Sequence, residues 1–280
     1  MHGKVVVITG GTSGIGQVAA EKLAAMGARI VLVARSKSRG EATLKRLQEL
    51  APAQEHSIHY GDVSRLADLN RLSAEIGSAE PRIDVLINNA GAMFGQRQVT
   101  EDGLELTFAT NHMSYFVLTN VLRDSLVAAG AARVINTSSH AHYRGQIDFD
   151  DLQFQHGYKA FPAYCRSKLC NVLFTRALTR RLAGTGVTAN SLHPGFVSTR
   201  FGDQSGGSMA RIIGVMKIFA ISPEKGAETI IYLASSDEVA KTTGLYYYKC
   251  KPVEPSKLAK DDAVAERLWQ ETAKLSGIKE

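Results

Sequence analysis

Tyr164 and Lys168 stand four residues apart in Ala163-Tyr164-Cys165-Arg166-Ser167-Lys168-Leu169, a stretch with helical periodicity. That spacing puts both side chains on one helix face. A phenol with a pKa of about 10 is a poor base at neutral pH. An ammonium one turn away favours the phenolate and lowers that pKa. The pair therefore suits proton transfer to or from a substrate oxygen. By itself Tyr-x-x-x-Lys is common and carries little weight. Upstream, a strand-like run over 133–137 ends in Ser138-Ser139, which puts hydroxyls at a strand's carboxyl end.

A second chemical signal lies at the start of the chain. Val5-Val6-Val7-Ile8-Thr9 leads into Gly10-Gly11-Thr12-Ser13-Gly14-Ile15-Gly16, and a helical pattern follows at once. Glycines let the backbone turn tightly beside a pyrophosphate, and a helix N-terminus offers free N–H groups and a positive dipole end. Gly14-Ile15-Gly16-Gln17-Val18-Ala19 also fits the G-x-G-x-x-A dinucleotide fingerprint in its strand–turn–helix setting. A P-loop fails, because Gln17-Val18 stands where Lys and Ser/Thr are needed. The second strand ends in Val33-Ala34-Arg35-Ser36-Lys37-Ser38-Arg39, with no acidic residue before Glu41. An acid there would hold the ribose 2′-OH of NAD, whereas Arg accommodates the 2′-phosphate of NADP. Arg35, Ser36 and Arg39 thus point to NADP(H) as the preferred cofactor, with NAD(H) as the second option.

These groups need elements that bring them together. Strands are predicted over 5–9, 29–33, 57–60, 85–88, 133–137, 187–192 and 245–248. Helices are predicted over 16–26, 40–49, 67–76, 104–126, 164–183, 223–233 and 263–275. Nearly all-apolar strands alternating with helices give an α/β fold: a doubly wound, parallel seven-stranded sheet with helices on both faces. No repeat or linker divides the chain, so residues 1–280 read as one Rossmann domain. Two stretches break the rhythm, 140–162 and 199–222. Both follow a strand and should hang over the sheet's carboxyl edge, where open α/β sheets bind ligands.

Composition excludes several alternatives. The chain has 280 residues, 44% hydrophobic and 21% charged, enough for a sizeable core. No stretch approaches the roughly 20 apolar residues of a membrane span, and the N-terminus runs into a strand with no room for a signal peptide. Three cysteines suit neither a disulfide framework nor a zinc site, so no metal and a cytoplasmic location are expected. The net charge of +6 is spread along the chain, which fits binding of polyanionic small molecules better than nucleic acid. Cys165 and Cys170 read as packing residues. His140 and His142 are open to substrate contact or packing, and two residues apart they make a poor metal site.

Taken in order, Thr9-Gly10-x-x-x-Gly14-Ile15-Gly16, Asp62-Val63, Asn88-Asn89-Ala90-Gly91, Asn111, Ser138-Ser139, Tyr164-x-x-x-Lys168 and Pro194-Gly195 resemble the short-chain dehydrogenases/reductases. The pieces span about residues 4–250. Within that family the chain is most similar to the retinol-dehydrogenase-like and WW-domain-oxidoreductase-like branch. The segments Asn136-Thr137-Ser138-Ser139-x-Ala141-His142, Ala163–Thr175 and Ala265-Glu266-Arg267-Leu268-Trp269 carry this similarity. The resemblance implies that Tyr164 is the general acid/base. Lys168 would lower its pKa and bond the nicotinamide ribose, Ser139 would polarise the substrate carbonyl, and Asn111 would hold a water linking Lys168 to solvent. It also implies that Gly10, Thr12, Ser13, Gly14, Ile15 and Gly16 cradle the pyrophosphate. Asp62 and Val63 would lie at the adenine, and Asn89, Ala90 and Gly91 along the adenosine side. Pro194, Gly195, Val197 and Thr199 would border the nicotinamide. The 25-residue interval from Ser139 to Tyr164 is shared by this branch, whereas the N-terminal membrane anchor of many retinoid enzymes is not expected here.

The expected activity is hydride transfer between NADP(H) and a hydrophobic alcohol or carbonyl. Met93-Phe94, Tyr143, Phe196 and a substrate lid at about 199–222, which includes the apolar run 209–219, favour a bulky apolar substrate. The competing class is a nucleotide-binding regulatory protein that has kept the fold and lost the chemistry. Joint retention of Asn111, Ser139, Tyr164 and Lys168 favours the enzyme. Broad apolar faces over 104–126 and 164–183 suggest a homodimer or homotetramer paired through these helices.

Overall fold

The computed structural model describes residues 1–196 and 221–279. Val197, Thr199 and nearly all of the lid segment 199–222 lie outside the described residues. The sheet contains β1 (Val5–Thr9), β2 (Arg29–Ala34), β3 (Ser57–Tyr60), β4 (Val85–Asn88), β5 (Arg133–Thr137), β6 (Thr188–Leu192), β7 (Tyr246–Tyr248) and β8 (Lys251–Pro252). Their spatial order is β3-β2-β1-β4-β5-β6-β7-β8, parallel except for the last pair. The chain order reverses between β1 and β4, the crevice where ligands enter such sheets.

The pleat explains why the strands are apolar throughout. Val6 and Ile8 of β1 pack into one core with Ile87, Ile135 and Leu192. Val7, between them, faces the other core with Leu86 and Val134. The first face is covered by α1 (Gly14–Ala25), α2 (Lys37–Leu50) and α8 (Pro223–Ser235) through Leu23, Leu47 and Ile230. The second is covered by α3 (Leu66–Ala79), α5 (Ser114–Val121), α7 (Ala160–Arg181) and α9 (Asp262–Ser276).

Two expectations change. The sheet has eight strands, because Lys249 and Cys250 take positive φ (48° and 60°) and turn the chain back in a two-residue hairpin. Neither residue is a usual turn former, so the sequence concealed the turn. The helix expected over 104–126 is broken. A turn α4 (Leu106–Phe108) passes through a π turn, Ala109–Met113, into α5, and α6 (Arg123–Ala128) follows after Leu122. Apolar periodicity cannot register a single extra residue in one turn.

Helix α7, which the sequence offers for pairing with a second copy, has α9 of the same chain along one side. Arg176 makes a two-pronged bond to Asp262 at 2.7 and 3.0 Å, and Arg181 bonds Glu266 at 2.5 and 3.0 Å. Trp269 stacks on Phe174 and meets Phe116 edge-on. A partner approaching α7 on this side would have to displace α9.

Burial also makes the fold acid-sensitive. Desolvation lowers the pKa of His112 to about 3 and those of His142 and His193 to about 4; it also lowers His56. Unfolding would return each to an ordinary histidine value near 6.5. Between these values the unfolded chain binds more protons, so stability rises with pH there. The contribution is complete above about pH 6.5 and is lost progressively as pH falls toward about 4 for His142 and His193 and about 3 for His112. Thermal melts should show a Tm at pH 5 at least about 5 °C below that at pH 7.5, since each histidine contributes up to about 1.4 kcal/mol per pH unit. Equal melting temperatures would contradict this account.

Candidate active site

The residues singled out from the sequence lie along the carboxyl edge of the sheet. Gly10 to Gly16 link β1 to α1, and Arg35, Ser36 and Arg39 link β2 to α2. Asp62 and Val63 follow β3, while Asn89, Ala90 and Gly91 follow β4. Ser139 follows β5, and Pro194 and Gly195 follow β6. Tyr164 and Lys168 approach from α7, and Asn111 from the π turn.

The glycine loop divides into two jobs. Gly10 (φ 67°) and Gly14 (φ 54°) make the turn in a backbone region that side chains disfavour. Gly16 is fixed by packing: a Cβ there would lie 2.3 Å from the Gly10 carbonyl oxygen and 2.4 Å from Asn89 Nδ2. Ser13 is the N-cap of α1, yet its side chain makes no capping bond. The first-turn N–H groups of α1, with Thr12 and Ile15 beside them, are thus left for an anion. This cradle fits a dinucleotide pyrophosphate.

At the neighbouring strand ends, Arg35 Nη1 lies 3.5 Å from Asp62 Oδ2. Arg35 is largely exposed, so this contact holds it weakly. Asp62 is anchored more firmly by the Ser64 N–H and hydroxyl, at 3.0 and 2.8 Å. Ser36 caps α2 by accepting from Arg39 N–H. The implied adenosine and phosphate residues therefore share one patch.

Asn89 has a structural task. Its Nδ2 donates to the Thr9 and Gly10 carbonyls, while Thr9 Oγ1 accepts from Asn89 N–H and Ala90 N–H at 3.0 Å each. This lattice ties β1 to the end of β4. Asn111 is similarly occupied: Oδ1 accepts from Ala92 N–H (2.7 Å), and Nδ2 donates to Ala92 O and Ser167 Oγ (both 2.9 Å). It joins the β4 loop to α7 beside Lys168, for a Cβ on Gly91 would lie 3.1 Å from Lys168 Nζ and 3.3 Å from Asn111 Oδ1.

Tyr164 is buried. It is hydrogen-bonded to Ser139, whose Oγ also accepts from Ala141 N–H at 3.1 Å. Lys168 Nζ donates to the Thr137 carbonyl at 3.1 Å and lies 5.8 Å from the Tyr164 ring centre. Burial pushes the Tyr164 phenol well above its ordinary value, against a lowering by Ser139, and pulls Lys168 down to about 7. The sequence reading expected the ammonium to lower the phenol's pKa. In this geometry desolvation dominates both groups and drives each toward its neutral form, and the Ser139 bond is what lowers the phenol's pKa. Met93, Ala141, Cys165 and Phe161 pack around Tyr164 as an apolar wall.

The motifs include Thr9, Thr137 and the residues of a buried chain Asn88–Asn136–Thr175 without giving them a role; that chain joins β4, β5 and α7 with bonds of 2.9 and 3.0 Å. Asparagine inside an otherwise apolar strand was the available signal, since a buried amide requires partners. Among the described residues no group of three or more His, Cys, Asp or Glu could hold a metal.

The packing of Gly16 gives a direct test of the cradle. Gly16→Ala should lower stability by about 2–3 kcal/mol, because the clash is with backbone that no rotamer relieves. Urea denaturation measures this, and a wild-type midpoint would mean that the loop has room to yield.

Comparison with known proteins agrees with this geometry. Residues 4–208 match the short chain dehydrogenase family. The chain is 42% identical to retinol dehydrogenase 13 from Homo sapiens over 282 residues, covering 99% of this chain and 85% of that protein. It is 39% identical to retinol dehydrogenase 14 from Homo sapiens, covering 99% and 88%. Among solved structures, an uncharacterized protein from Mycobacterium paratuberculosis superposes with a TM-score of 0.80 at 32% identity, covering 99% of this chain and 94% of that one. An actinorhodin polyketide ketoreductase with NADPH gives a TM-score of 0.66 at 29% identity, covering 87% and 94%. By sequence and by fold, the chain belongs to the short-chain dehydrogenase family, in its retinol-dehydrogenase-like branch.

Proposed function

We propose that this dehydrogenase/reductase transfers a hydride between NADP(H) and a hydrophobic alcohol or carbonyl compound, with Tyr164 as general acid/base. The observation that carries the reading is the meeting of Tyr164 with Ser139 beside buried Lys168, at the sheet edge that also carries the glycine cradle. The cofactor, when bound, supplies or takes up the hydride. Ser139 and Tyr164 together would hold the substrate oxygen. Burial keeps Tyr164 protonated at neutral pH, the form that donates to a carbonyl oxygen during reduction. Oxidation needs the phenolate and should gain with rising pH. Lys168 would bond the nicotinamide ribose from its place beside Gly91.

The site and the relatives support the substrate class. The wall around Tyr164 is apolar, and the relatives at 39–42% identity are named retinol dehydrogenases. All three cysteines are free, which suits a reducing cytoplasm. Among the described residues no helix is long and apolar enough to cross a membrane.

Cofactor choice rests on Arg35. NADPH should bind more tightly than NADH by about 1–3 kcal/mol, the scale of one charge-assisted phosphate contact. Arg35→Asp should abolish or reverse the preference. Fluorescence titration with both cofactors decides the matter, and equal wild-type dissociation constants would remove the assignment.

Tyr164→Phe deletes only the hydroxyl. Turnover of hydrophobic aldehydes and ketones should fall at least about 10²-fold while NADPH binding persists. Steady-state kinetics beside the same titration test this. Wild-type turnover in the variant would overturn the acid/base assignment.

A further inference from the structure

The turn His140–Arg144 leaves the end of β5 with a buried imidazole in it. His142 is fully buried, and its ring makes two hydrogen bonds of fixed sense. Nδ1 lies 2.8 Å from the Ser139 carbonyl oxygen, which can only accept. Nε2 lies 3.1 Å from the Ser256 backbone nitrogen, which can only donate. One form satisfies both: the neutral ring with its proton on Nδ1. Desolvation, which lowers the His142 pKa to about 4, keeps that form at neutral pH.

The two bonds connect distant parts of the chain. On one side, the turn aims Ser139, because Ala141 N–H donates to Ser139 Oγ. On the other, Ser256 begins the approach to α9, its Oγ accepting from Ala259 N–H. The Tyr143 hydroxyl adds a bond to the Glu254 carbonyl. Helix α9 then clamps α7 through Arg176–Asp262 and Arg181–Glu266, and α7 carries Tyr164. A closed mechanical loop thus runs from Ser139 through His142, Ser256, α9 and α7 back to Tyr164.

We infer that His142 is a positioning residue: with the strap at 254–256 it fixes the turn after Ser139, and with it the placement of the Ser139 hydroxyl against Tyr164. Its kinetic consequence rests on the acid/base reading above, whereas the tautomer and the strap do not. Among the described residues, the titratable groups that meet the ring are His140 and Tyr143 of its own turn, His193 after β6 and Tyr246 of β7, with Glu254 of the strap held through the Tyr143 hydroxyl. The Glu254 carboxylate is engaged with Lys260.

Three variants separate the two bonds. His142→Phe keeps the ring and loses both. His142→Asn keeps a donor near the Nδ1 position, and His142→Gln an acceptor near the Nε2 position. In His142→Phe, kcat for carbonyl reduction should fall at least about tenfold, the scale of a small misplacement of a reacting group. The Kd for NADPH should stay within about twofold. The pH limb for alcohol oxidation should move upward, because Ser139 no longer favours the Tyr164 phenolate. Asn should restore part of kcat. Amide exchange at Ala141 and Ser256 should accelerate while α7 stays protected. In the wild type, 15N NMR of the imidazoles should show a neutral ring protonated on Nδ1 at neutral pH. An Nε2-protonated ring, an unchanged kcat and pH limb in His142→Phe, or a loss of NADPH affinity matching the loss of kcat would each overturn the proposal. Tyr164→Phe run in parallel separates the two readings. If that variant turns over like the wild type, the acid/base reading fails, while the NMR and exchange measurements still decide His142.

Discussion

At the carboxyl end of β5 a single backbone carbonyl gathers three donors. Thr137 O accepts from Lys168 Nζ at 3.1 Å, Asn171 Nδ2 at 3.2 Å and the Tyr115 hydroxyl at 3.4 Å. A buried ammonium is costly unless something satisfies it, and a charge-assisted bond to a fixed carbonyl is among the stronger remedies. The strand cannot move without its sheet, so the carbonyl holds α7 at a defined height over the edge. Thr137 Oγ1 reaches toward Asn89 Oδ1 as well, which links this point to the glycine loop. Loop, strand and helix are thus referred to one place.

The same burial that gives this precision sets the protonation states. It pushes Tyr164 up and Lys168 down, so each group is driven toward its neutral form. The lever opposing this for the phenol is the Ser139 hydroxyl, which makes the placement of Ser139 a matter of proton affinity as well as geometry. Electrostatic preorganisation depends on groups that need not reorient during reaction. Here Ser139 follows β5 while Tyr164 and Lys168 stand on α7, so the contacts between those elements fix how the groups face one another. The amide chain Asn88–Asn136–Thr175, the Asn111 bridge to Ser167 and the α7–α9 clamp all serve that end.

Much of this was legible in the order of residue types. The strands from 5–9 to 133–137 were readable because a sheet covered on both faces demands continuous apolar runs, and helices of period 3.6 interrupt them. The glycine loop, Arg35, Ser139, Tyr164 and Lys168 were readable because their chemistry is local: a turn, a strand end, one helical turn. The π turn at Ala109–Met113 and the hairpin at Lys249–Cys250 were not. Each depends on the backbone geometry of a few residues, which composition does not encode.

The sequence by itself determined the layer architecture, the crevice and the residues that could move a proton. Periodicity and side-chain chemistry are properties of neighbours along the chain. The tertiary structure alone decided which polar atoms were already spoken for. It assigned the Asn89 amide to the β1 loop, the Asn111 amide to Ala92 and Ser167, and the His142 ring to Ser139 and Ser256. It also set α9 against α7 and decided that desolvation, rather than the neighbouring ammonium, governs Tyr164. Most of these hydrogen-bond partners, like the dielectric surroundings, come from residues tens to more than a hundred positions apart, and only folding brings them within bonding distance.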